Sequence, residues 1–207
     1  MPPEFVFFDL GQVLVSFDRE RAIRQAIATS GGDPAVVAEV LLDLRLHDAV
    51  ERGTLDWGGF HAEFCHRTGT RPDAAALAHA VSDMFSLKID MLPLISRLSR
   101  AGCGLGILSN TCDPHWSHLT QVANYGVLTT GFDTVVLSHE VGCRKPEPEI
   151  FATAARMAGA PPERIFFTDD IEAHVVAARA AGWDAEVFTS ATALAEALTR
   201  RGLPCDL

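Results

Sequence analysis

The sequence has almost no lysine. Of its 17 basic side chains only Lys88 and Lys145 are lysines; the other fifteen are arginines. A chain that uses guanidinium wherever ordinary positive charge serves marks, by a retained ammonium, a place where a compact cation is required. Positive charge is itself in short supply, with 17 basic against 27 acidic residues and a formal net charge of −10. That balance argues against a general attraction to nucleic acid or to an anionic membrane, and an anionic substrate would need positive charge supplied locally. No apolar run approaches the length of a membrane span, and Met1-Pro-Pro-Glu lacks the basic start of a targeting segment, so a cytoplasmic protein is expected. The five cysteines, Cys65, Cys103, Cys112, Cys143 and Cys205, are odd in number and scattered without a paired zinc spacing, and read as free thiols. Repeats and low-complexity tracts are missing as well.

What remains is the composition of a folded protein, 48% hydrophobic and 21% charged over 207 residues, enough for one core with a small inserted unit. Phe5 to Phe8 are apolar on both faces, as a strand covered on both sides should be, and Asp9 ends the run with Gly11 following. Val15 to Asp18 reads as a short extended flap. Helical patterns then follow at Arg19 to Ala28, Pro34 to Leu46, Trp57 to Thr68 and Asp73 to Phe85, with Ser86 to Ile89 as the return hinge. After a helix over Met91 to Leu98, strands at Leu105–Leu108, Phe132–Leu137, Ile165–Thr168 and Ala185–Phe188 alternate with helices at Glu147–Ala158, Glu172–Ala181 and Ala191–Arg201. This pattern predicts an α/β fold with a doubly wound, mainly parallel, Rossmann-like sheet over residues 1–15 and 88–207, and a small α-helical cap inserted at 16–87.

The polar residues that end the strands carry the chemistry, because ligands of open parallel sheets bind outside the carboxyl ends of the strands. Asp9 ends the first. Ser109-Asn110-Thr111 end the second, and either bind phosphate oxygens or cap the next helix. Lys145 precedes Pro146, and Thr168-Asp169-Asp170 end a later strand. Two adjacent carboxylates after a buried apolar run repel each other and lose hydration, a cost that a divalent cation shared with a third carboxylate relieves. Magnesium, which prefers oxygen ligands and keeps several waters, suits such a site. The alternative is an acidic pair that merely caps the helix at Glu172.

Taken in order, Asp9, Ser109, Lys145 and Asp169-Asp170 resemble the four motifs of the haloacid dehalogenase-like hydrolases, within which Phe8-Asp9-Leu-Gly-Gln-Val-Leu and Phe167-Thr-Asp-Asp-Ile-Glu-Ala-His are similar to helical-cap sugar-phosphate phosphatases and the phosphatase domain of soluble epoxide hydrolases. The resemblance implies a phosphatase acting on a small phosphorylated metabolite, with Asp9 as a nucleophile that forms an aspartyl-phosphate. It implies magnesium held by Asp9, the carbonyl of Gly11 and Asp170, with Asp169 as an alternative or outer ligand. Lys145 would hold Asp9 ionised and stabilise the transferring phosphoryl group, whose oxygens Ser109 and Asn110 would bind. Two positions depart from the family. Gly11 stands where a second aspartate usually serves as general acid and base, which implies a slow enzyme, an activated substrate, or a substitute such as Gln12 or a cap residue, and His174 stands where an asparagine is usual. Two other readings compete: a 2-haloacid dehalogenase, which needs no second aspartate, and a catalytically weak phosphate-binding module. Arg45, His47, Arg52, Trp57 and His61 are the cap residues available to a substrate.

Overall fold

The computed structural model describes residues 2–121 and 125–204. Five strands form the main sheet, β1 (Phe5–Phe8), β4 (Gly104–Ser109), β5 (Thr134–Leu137), β6 (Ile165–Asp169) and β7 (Asp184–Val187), in the order β5-β4-β1-β6-β7. All their pairings are parallel. β1 is central, with Phe8 opposite Ile107 on one side and Thr168 on the other. The first residue past β1 is therefore delivered to the middle of the sheet's carboxyl edge, where the Asp9 N–H continues the ladder to the Thr168 carbonyl at 2.9 Å.

Alternation along β1 feeds two cores. Val6 and Phe8 join one apolar cluster and Phe5 and Phe7 the other. Gly104 and Gly106 make this possible, since a Cβ at either would lie 2.3 Å from a ring atom of Phe5 or Phe7. On the first face pack α6 (Leu92–Arg100) and α12 (Ala191–Arg200) through Leu94, Leu98, Leu194 and Leu198; on the second pack α10 (Pro148–Ala158) and α11 (Glu172–Ala180) through Phe151, Ala154, Val175 and Ala178. Trp183 stacks on Phe7 at 5.3 Å. The arrangement is the doubly wound α/β fold that the alternation of elements predicts.

The flap at Val15 becomes β2 (Val15–Phe17), which pairs antiparallel with β3 (Phe85–Leu87) at the predicted return hinge. Between them lie five helices rather than the four expected: α1 (Arg19–Ser30), α2 (Pro34–Leu41), α3 (Leu44–Glu51), α4 (Trp57–Thr68) and α5 (Ala74–Ser82). The pattern over Pro34–Leu46 divides because the Asp43 side chain accepts the N–H groups of Arg45 and Leu46 and so starts a new helix. Asp18, Asp33, Asp56 and Asp73 cap the other four in the same way. The helices bury their own cluster around Val37, Val40, Phe60, Phe64 and Leu77. Three short helices absent from the sequence reading, α7 (Asp113–Gln121), α8 (Val127–Thr130) and α9 (Ser138–Val141), fill the crossovers around β5. Cys65, Cys112 and Cys143 are free thiols, Cys205 lies outside the described residues, and no described helix is long and apolar enough to cross a membrane.

Candidate active site

Three strand ends and one loop converge on a single ammonium. Lys145 Nζ lies 2.6 Å from Asp9 Oδ1 and 2.6 Å from Asp169 Oδ2, and donates to the Leu108 carbonyl at 2.7 Å. All three N–H bonds of the ammonium are thereby used, on three acceptors from three adjacent strands, and the side chain is only 1% exposed. A planar guanidinium fork does not fit that trigonal set, which gives a physical reason for lysine in a chain so rich in arginine.

The loop is fixed from below by Asn110. Its Oδ1 accepts the Lys145 N–H at 2.8 Å and its Nδ2 donates to the Lys145 carbonyl at 2.9 Å. Asn110, assigned by sequence to phosphate oxygens, thus has its amide engaged on both sides by the lysine's own backbone. Ser109 sits buried at the end of β4 beside it. The second lysine was missed as a site residue although its rarity was a signal. Lys88 Nζ donates to the Gln12 carbonyl at 3.0 Å, its N–H donates to the Leu14 carbonyl at 2.9 Å, and its ammonium rests over the Phe188 ring. It ties the turn after Asp9 to the chain's return from the helical insert, and that turn holds Gln12 at a positive φ of 58°.

Charge around Lys145 is uneven. One carboxylate oxygen each from Asp9, Asp169 and Asp170 come within 4.8 Å of one another. Asp169 is fully engaged by protein, through Lys145, the Ile171 N–H at 2.8 Å and His174 Nδ1 at 3.0 Å from both oxygens. Burial alone would lift its carboxyl, but Lys145 and His174 outweigh burial and hold it below the usual carboxylate range. Asp9 behaves oppositely: burial, helped by the charge of Asp169 and only partly offset by Lys145, pushes it up to about 6. Burial and then the charge of Asp169 also raise Asp170, which is exposed at the rim. Burial lowers Lys145, yet its two carboxylates overcome this and raise it. One lysine therefore serves Asp169 well and leaves Asp9 and Asp170 short of positive charge. An all-oxygen, surplus-negative set of this kind fits a hard divalent cation.

An open cleft of about 580 Å³ adjoins Asp170, lined by Gln12, Phe17, Asp18, Arg19, Glu20 and Asp170. The insert meets the sheet domain elsewhere, along α3. There Arg52 donates to Glu147 and to Asp48, and Arg144 lies 2.8 Å from Asp48 and 3.1 Å from Glu51. Gly53 rests so close to the α9 backbone that a Cβ there would be 2.2 Å from the His139 carbonyl. Of the insert residues that the sequence offered to a substrate, Trp57 and His61 donate or bond to the carbonyls of Ala74 and Pro72, His47 to that of Leu41, and Arg52 belongs to the seam. Arg45 is exposed.

Residues 4–182 match the family model of the haloacid dehalogenase-like hydrolases. The chain belongs to that family. It is similar to the glyceraldehyde 3-phosphate phosphatase of Methanopyrus kandleri, with 28% identity over 181 residues, covering 80% of this chain and 74% of the relative. Its fold matches a HAD family enzyme of Bacteroides thetaiotaomicron solved in complex with magnesium and inorganic phosphate, at 27% identity and a TM-score of 0.80, over 90% of this chain and 94% of that one. A HAD-like hydrolase structure from Porphyromonas gingivalis aligns with a TM-score of 0.81 at 26% identity, over 97% of this chain and 98% of the other. Asp9, Ser109, Lys145 and the Asp169–Asp170 pair each stand at a strand end or in the loop that Asn110 secures.

Proposed function

We propose that this hydrolase is a magnesium-dependent phosphatase acting on a small phosphate monoester, a sugar phosphate being one such substrate, through an aspartyl-phosphate at Asp9. In this reading residues 1–15 and 88–207 form the catalytic core and 16–87 a cap over its site. The observation that carries it is the position of Lys145 between Asp9 and Asp169, with Asp170 alongside. The phosphatase named among its relatives and the magnesium and phosphate bound by the Bacteroides enzyme support it.

Asp9 Oδ1 is held by Lys145, which leaves Oδ2 as the attacking oxygen. Lys145 favours the ionised nucleophile and stands where charge on a transferring phosphoryl group would be stabilised, with Ser109 at the next strand end to receive an oxygen. Asn110 acts through Lys145, by fixing the loop that presents it. Asp9, Asp170 and the carbonyl of Gly11 would hold magnesium, with Asp169 and His174 behind them; the ion supplies the positive charge that lets an anionic phosphate approach an anionic carboxylate. The test is phosphate release from an aryl phosphate with and without a chelator, halide release from 2-haloacids, and both repeated with Asp9→Asn. Phosphate release lost with the chelator and with Asp9→Asn supports the proposal. Halide release without metal would make the protein a dehalogenase, and neither activity would leave a phosphate-binding module.

A further inference from the structure

Among the described residues, each carboxylate lining the cleft beside Asp170 is already engaged. Asp18 accepts the Arg21 N–H at 2.9 Å as the cap of α1 and lies 3.6 Å from Arg24, and Glu20 lies 3.5 Å from the same guanidinium. Asp170 belongs to the acidic cluster. The guanidinium of Arg19 and the amide of Gln12 offer hydrogen bonds but no transferable proton. His174 is held on Asp169, and His139 on the Thr111 carbonyl. His115 meets Phe85 rather than the cleft, at 5.2 Å between rings, and its burial beside His47, His118 and His139 pushes it down to about 4.

Gly11 closes the remaining route. A Cβ at that position would point between Phe17 and the nucleophile, 3.2 Å from Phe17 Cε1 and 3.8 Å from Asp9 Oδ2. A side chain at residue 11 would therefore press on an aromatic ring, which would have to give by a few tenths of an ångström. That ring is half-buried on β2, which pairs with β3; it meets Phe85 edge-on at 6.3 Å and has the Arg19 guanidinium 5.4 Å from its centroid.

We propose that this site expels its leaving group as an unprotonated oxyanion, and that its substrates are phosphates whose leaving oxygen carries negative charge well, namely aryl, enol or acyl phosphates rather than simple alkyl esters. The proposal rests on the phosphatase reading above and narrows its substrate class, setting aside the sugar phosphates that are alkyl esters. In the first step Asp9 Oδ2 bonds to phosphorus while the bond from phosphorus to the leaving oxygen breaks, and its electron pair stays on that oxygen. Water then hydrolyses the aspartyl-phosphate to inorganic phosphate and the Asp9 carboxylate, and the proton it releases balances the one that the departed oxygen takes from solvent. A positioned acid contributes about 10²–10⁴ in rate, and that factor is missing most severely where the leaving oxygen is basic.

The experiment compares kcat/KM for 4-nitrophenyl phosphate, phenyl phosphate and glyceraldehyde 3-phosphate, whose leaving oxygen is an alkoxide, in the magnesium-loaded wild type and in Gly11→Asp, Phe17→Ala and the double variant. A wild-type fall of at least ~10²-fold from the nitrophenyl to the alkyl ester, matching the worth of a missing acid, supports the proposal. So does a narrowing of that ratio in the double variant, where the ring no longer presses on an acid at position 11. Intact-mass detection of a phosphorylated chain with the nitrophenyl ester, absent in Asp9→Asn, shows that the first step is intact. Equal kcat/KM for aryl and alkyl esters in the wild type would overturn the proposal while leaving the phosphatase reading in place. Release of phosphate from none of them would overturn both.

Discussion

Arg144 and Lys145 are neighbours in sequence and do opposite things. Arg144 turns outward, about a quarter exposed, and pairs with Asp48 and Glu51 of the helical insert. Lys145 turns inward, 1% exposed, and holds Asp9 and Asp169. In the outer pair water screens the charges and the arginines trade partners among several acids, so no single contact decides anything. In the inner pair nothing else can replace the ammonium, and the carboxylates it fails to satisfy are left to an ion or a substrate. The same chemical attraction thus fastens one place and makes the other reactive. Burial is the difference.

The comparison breaks most visibly at Lys145. Lys145→Ala strands two buried carboxylates at pH 8, and urea unfolding should show a loss of about 3–5 kcal/mol, together with loss of phosphate release. Lys145→Arg should fail in activity as well, since the guanidinium has no trigonal fit to the three acceptors. Asn110→Ala removes both bonds to the Lys145 backbone. It should cost about 1–3 kcal/mol, and kcat should fall far more than KM rises, because the residue orders the lysine rather than the substrate. A pH series without metal sharpens the contrast. Asp9 holds its proton up to about 6 in the folded state, above its unfolded value of 3.8, so stability should fall as pH rises across that interval by at most roughly 1.4 kcal/mol per unit. Asp169, held low, works in the other sense: its contribution is present above the unfolded value and is lost as pH falls through its folded one. The raised Lys145 loses its contribution only on the alkaline side, above 10.5. Smallest of all should be Arg144→Ala, about 0.2–1 kcal/mol by urea unfolding, with the difference from wild type vanishing in high salt.

Sequence patterns revealed the sheet well because its strands are unbroken apolar runs that stop at a polar residue, as Phe8 stops at Asp9 and Phe167 at Thr168-Asp169. Element ends differ by one to three residues, the helix expected as far as Phe85 stopping at Ser82 because Phe85 opens β3, and Phe132-Asp133 lie outside β5, where the Asp133 side chain accepts the Leu105 N–H. In the insert Pro34 to Leu46 reads as one helix, yet Leu42 and Leu44 are 52% and 83% exposed and Asp43 starts a new helix. Each of the five helices there begins with an aspartate, a signal present in the sequence but read at only one start. At the site the gathering of Asp9, Lys145 and Asp169 was legible because strand ends in a parallel sheet share an edge. The engagement of Asn110 by the Lys145 backbone and the hold of Lys88 on Gln12 were not, since each depends on how a loop folds back. The contact of Phe17 with Gly11 depends on the register of a three-residue strand pair whose members lie far apart in sequence, and it carries no local signature at all.

One lysine leaves this acidic cluster short of positive charge, and a divalent cation completes it. Thermal unfolding of wild type and Asp170→Asn at pH 8, with magnesium titrated to a hundredfold excess over its dissociation constant, tests that directly. The wild type should gain roughly 2.7 kcal/mol, or about 5–10 °C in Tm, and Asp170→Asn should gain almost nothing. A wild type that magnesium leaves unchanged, or an Asp170→Asn variant that it stabilises equally, would contradict the account.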